Sequence, residues 1–66
     1  MIDKDFDTVE EGMDLLKKAV EVRNKMGGNM YWSMLNDEVC KIGSKTLKLG
    51  GDYEKIADII GRENFR

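Results

Sequence analysis

Apolar residues recur along this chain at helical spacing, in three stretches separated by paired glycines. In the first stretch Phe6, Val9, Met13, Leu16 and Val20 follow a repeat of three and four, and so do Leu15, Ala19, Val22 and Met26. On a helix the two stripes lie roughly 120° apart. The spacing predicts a long first helix from Thr8 to Met26. Asp7 is placed to cap it, with Glu10 three residues on closing a capping box. Glu10 and Glu11 sit at the positive end of its dipole, Arg23 and Lys25 at the negative end. Gly27-Gly28 ends the element.

In the second stretch Tyr31, Leu35, Val39, Ile42, Thr46 and Leu49 predict a helix that starts near Asn29, its cap, and runs toward Leu49. Gly43-Ser44 interrupts it. A glycine inside a helix costs about 1 kcal/mol relative to alanine. The helix therefore kinks there, breaks there, or brings its backbone close to a neighbour. Thr46-Leu47-Lys48-Leu49 also alternates like a short strand, but no partner strand is evident. In the third stretch Gly50-Gly51 reads as a turn and Asp52 as a cap. Tyr53, Ile56, Ala57 and Ile60 share one helical face. Gly61 closes the helix, and Phe65 is expected to pack back. The fold class is all-α: one small three-helix domain over residues 1–66.

Size changes the picture. A chain of 66 residues buries only about 60% of the surface that its unfolded form exposes. Cys40 is the only cysteine and histidine is absent, so neither an internal disulfide nor a structural zinc has a ligand set. Association is the remaining route to stability. The first helix is apolar on two sides. One stripe is expected to face the other two helices. Leu15, Ala19, Val22 and Met26 are expected to meet a second copy, making the protein a homo-oligomer. The alternative is that helices two and three wrap around the first and cover both stripes.

Charge narrows the function. Thirteen acidic and eleven basic side chains give a net charge of −2, unlike the basic balance of a general nucleic-acid binder. The acidic N-terminus and the absence of any long apolar run read as a soluble, cytoplasmic protein with no membrane partner. Without histidine no histidine-dependent triad is possible, and Cys40 reads as structural. Asp3, Asp5, Asp7, Glu10, Glu11 and Asp14 lack the spacing of a calcium loop. Gly43-Ser44-Lys45-Thr46 departs from a phosphate-binding loop and offers at most a local anion contact. No catalytic residue, metal or cofactor is expected.

The segment from Gly27 to Met34 is the most unusual in composition, holding the only tryptophan and two of the five methionines. It reads as core or oligomer packing, or as a ligand site. In the second case the helix start favours an anion, and Lys25, Asn29, Tyr31, Trp32 and Lys45 are the candidate contacts. A nucleotide or cyclic nucleotide held between subunits would suit them. Ile56-Ala57 and Ile60-Gly61, within Asp52 to Arg62, resemble the first helix and turn of a helix-turn-helix. That resemblance implies a small DNA-binding regulator, yet only five residues remain after Gly61 where a recognition helix should follow. The expectation is a non-catalytic binding or inhibitor protein. In style it is similar to small accessory proteins of phages or mobile elements that inhibit a host protein or capture a small anionic ligand.

Overall fold

Thr8 starts the first helix. Its backbone is extended, and its hydroxyl oxygen accepts the Glu11 N–H at 3.2 Å while donating to Glu11 Oε1 at 3.0 Å. The computed structural model describes residues 6–28 and 30–65. Within them lie α1 (Val9–Lys25), α2 (Tyr31–Lys48) and α3 (Tyr53–Ile60), and no strand. The cap thus falls one residue later than Asp7, and Glu11 rather than Glu10 faces it, its carboxylate meeting the Thr8 hydroxyl. The reason is tertiary. Phe6 folds back over the first turn of α1, where Gly12 leaves room; a Cβ on Gly12 would sit 2.6 Å from the Phe6 ring.

α1 and α2 form an antiparallel hairpin, and α3 packs across it. The core joins Phe6, Leu16, Ala19 and Val20 to Val39 and Ile42 of α2 and to Ile56 and Ile60 of α3. The side of α1 that faces the core falls between the two apolar stripes, taking Leu16 and Val20 from one and Ala19 from the other. Ala19 is 1% exposed, which corrects its placement against a second copy. Its small side chain lets α1 approach its own partners. Leu15 is half-buried, while Val22 and Met26 remain exposed.

α2 passes through Gly43 without interruption and stays helical from Lys41 to Lys48. Of the three outcomes expected at Gly43, close approach is the one observed. A Cβ there would come within 2.8 Å of Ile60 and 3.2 Å of Ile56. The buried side of α2 meets α1 through Asn36 and Thr46 and α3 through Gly43, and it also includes Cys40. Tyr31 and Leu49, expected on the inner stripe, are exposed at its two ends. The helix closes with paired backbone bonds, Gly50 N–H to Leu47 O and Gly51 N–H to Thr46 O, both 3.0 Å. Gly50 supplies the positive φ that this ending requires.

Asp52 caps α3 as expected, accepting the Glu54 N–H at 2.9 Å. Ile56, Ala57 and Ile60 are buried, whereas Tyr53 is exposed and meets the Phe65 ring at 5.6 Å. Gly61 ends the helix at φ 99°. Asn64 and Phe65 then donate their N–H groups back to Gly61 O. Every residue that carries the likeness to a helix-turn-helix is therefore a core or cap position. Arg62 donates to Glu54 and Asp58 at the surface, and its bond to Glu54 holds the guanidinium above its usual pKa.

Candidate functional site

At the turn between α1 and α2 the usual distribution of polar and apolar groups is reversed. Arg23, in the last turn of α1, is 4% exposed. Its Nη1 donates to Asn36 Oδ1 of α2 and to the Ile60 carbonyl of α3, both at 2.9 Å. Its Nε and Nη2 donate to Asn24 Oδ1 at 3.2 and 2.9 Å. The guanidinium lies 5.2 Å from the centre of the Trp32 ring, within cation–π range. Asn36 in turn donates to the Asn64 carbonyl at 3.1 Å, and the Cys40 thiol donates to the same oxygen at 3.2 Å. One side chain thus links the ends of all three helices.

The charge has no counter-ion among the described residues. Among the described residues the ion pairs are Lys25–Glu21, Lys41–Glu38 and the Arg62 pairs, none of which reaches Arg23. All its acceptors are neutral oxygens. Removing an ion from water costs several kcal/mol even after relaxation, so the network offsets that cost through hydrogen bonds and the aromatic face. Among the described residues no buried side-chain nitrogen or oxygen lacks a partner.

Around this polar centre several apolar side chains are exposed among the polar ones. Of the eight exposed large hydrophobic side chains among the described residues, Val22, Met26, Met30, Tyr31 and Met34 all fall between positions 22 and 34. Met30 is 80% exposed and Met34 64%. Val22 and Met26 lie four apart across the end of α1, as do Met30 and Met34 across the start of α2, where Met26 and Met30 are the cap positions.

The residues expected to hold a ligand do not all converge. Trp32 is half-buried and covers Arg23. Lys25 is exposed and pairs with Glu21 at 3.8 Å. Tyr31 is exposed beside the turn. Asn29, expected as both cap and contact, lies outside the described residues, as do Asp3 and Asp5. Lys45 sits at the opposite end of the hairpin, 4.8 Å above the Phe6 ring. It is thirteen residues beyond Trp32, or roughly 20 Å along the helix. Lys45 and Ser44 share a shallow cavity of about 420 Å³ with Cys40, Lys41 and Lys48. Thr46 is turned into the core, where its hydroxyl donates to Ile42 O at 2.8 Å. A second open cavity, about 390 Å³, lies where Val9 and Met13 of α1 face the Gly50-Gly51 turn. It carries carboxylates and ammonium groups together.

Sequence reasoning missed Arg23, Asn24, Asn36 and Asn64. For Arg23 the signal was present, because position 23 continues the spacing of Val9, Met13, Leu16 and Val20. Its charge and its place in the last turn suggested only a dipole partner. The asparagines carry no such periodic signal.

No protein-family model, curated protein or solved structure matches this chain. Among the described residues no helix is long and apolar enough to cross a membrane.

Proposed function

We propose that the protein is a non-catalytic interaction module that works through the methionine-rich end of its α1–α2 hairpin. The observation that carries this reading is the crowding of Val22, Met26, Met30, Tyr31 and Met34 around one turn. Contiguous exposed apolar surface marks association sites, and methionine adapts to partners of irregular shape. The first occupant is a second copy of the chain, in keeping with the small core of a domain this size. Of the side chains expected at such an interface, Leu15, Val22 and Met26 remain accessible at least in part, and Ala19 does not. In its biological role the module acts as an accessory protein that occludes an apolar surface on its target.

Sedimentation velocity at micromolar concentration tests the reading. The parent is expected to sediment as more than one copy. Met26→Glu and Met34→Glu are each expected to lower that mass without lowering helix content. A parent that runs as one copy, unaffected by either substitution, removes self-association from the proposal.

A further inference from the structure

Arg23 presents a charged fork to a neutral, exposed side chain. We propose that this fork is a docking site for an oxyanion, a carboxylate or a phosphate group, which displaces Asn24. The proposal does not rest on association through the methionines.

Two halves of the guanidinium behave differently. Nη1 is held from behind by Asn36 Oδ1 and the Ile60 carbonyl, both at 2.9 Å. The Trp32 ring lies 5.2 Å away. The orientation of the group is thus fixed before any ligand arrives, which lowers the ordering cost of binding. Nε and Nη2 form the edge whose parallel N–H groups match two oxygens of a carboxylate or phosphate. Here a single amide oxygen, Asn24 Oδ1, takes both, at 3.2 and 2.9 Å. Among the described residues no second acceptor reaches Nη2.

Asn24 is suited to giving way. It is exposed, it is joined to Arg23 in sequence, and rotation about its side-chain bonds withdraws the one oxygen that Nε and Nη2 share without moving α1. The exchange replaces one neutral acceptor by two charged oxygens. It also supplies the counter-charge that a buried cation otherwise lacks. Both partners then carry charge, whereas against Asn24 only the guanidinium does.

Trp32 is the only tryptophan, so its emission reports on the guanidinium beside it. Dilute protein is titrated with sodium acetate and, separately, with inorganic phosphate, each against sodium chloride at constant ionic strength. A saturable change in emission is expected, and the anion that acts at lower concentration identifies the preferred class. Melting in phosphate is not the readout, since that ion stabilises proteins by exclusion from their surfaces. Asn24→Ala uncovers the fork and is expected to tighten binding about tenfold. Asn24→Asp places a carboxylate on it from within the chain. That variant is expected to melt about 4 °C higher or more, despite adding an acid near a helix C-terminus, and to lose the emission response. Three results would each overturn the proposal: no saturable response to either anion, a response that Asn24→Asp leaves unchanged, or an Asn24→Asp variant that melts no higher than the parent.

Discussion

The two ends of the α1–α2 hairpin solve the same packing problem in opposite ways. At the end remote from the turn, apolar and small groups lie inside. Phe6 fills the space above Gly12, whose missing side chain also makes room for Thr46. Gly51 closes against the Thr46 backbone and Ile56. At the turn end a cation and Asn36 are buried, with Asn24 and the Asn64 carbonyl closing the network from its edge, and methionines lie outside. The first arrangement seals most of its apolar groups within the chain and leaves Leu47 and Leu49 exposed at its edge. The second leaves both an exposed apolar surface and an uncompensated charge, each of which a partner or ligand would relieve. A fold this small has few buried positions. Giving several of them to polar groups fixes how the helix ends meet, at a cost in hydrophobic burial.

The largest expected effect breaks the glycine end. Gly12→Val drives a branched side chain into Phe6 and Thr46, and is expected to cost about 3 kcal/mol in urea denaturation. A loss below about 1 kcal/mol would mean that the close approach there is not maintained in solution.

Next comes the polar end. Arg23→Ala leaves the Ile60 carbonyl and Asn36 Oδ1 without their shared donor, at a cost of about 2–3 kcal/mol. Asn36→Ala loses its bond to Asn64 as well. Because both residues belong to one network, the double variant should cost less than the sum of the two singles by about 1 kcal/mol. Strict additivity would separate the two side chains energetically and sharpen the contrast in favour of the apolar end.

A smaller effect discriminates between two caps. Thr8→Ala is expected to cost about 1 kcal/mol, and Asp7→Ala about half of that or less, both read as shifts in the denaturation midpoint. The reverse order would move the start of α1 back to Asp7. The smallest effect on stability belongs to the exposed methionines. Met34→Glu, compared with the parent at a dilution where both run as single copies, should change the unfolding free energy by no more than about 0.5 kcal/mol, while reducing the sedimenting mass at micromolar concentration. Equal loss of stability and association would place Met34 in the core.

Much of the architecture was legible along the chain. The repeat of three and four located α1 and α3 to within a residue or so, and the cap at Asp52 and the stop at Gly61 followed from backbone chemistry. Such features are local, requiring only neighbours one or two turns away. The candidate site was less legible. Lys25, Tyr31 and Trp32 lie near the turn that an unusual composition marks, whereas Lys45, grouped with them by residue type, lies at the other end of the hairpin within one chain. Only the length of α2 shows how far apart they stand.

What the sequence determined by itself was the number of helices, their approximate limits and the buried face of α3, because periodicity and capping are properties of a single segment. The tertiary structure alone decided which direction on α1 points inward, and that direction lies between the stripes rather than along either. It also decided that Gly43 is a point of contact with α3 and that Arg23 is enclosed. Burial of a charge depends on acceptors brought from three separate elements, here Asn24, Asn36 and the Ile60 carbonyl. No spacing rule within one helix encodes that meeting.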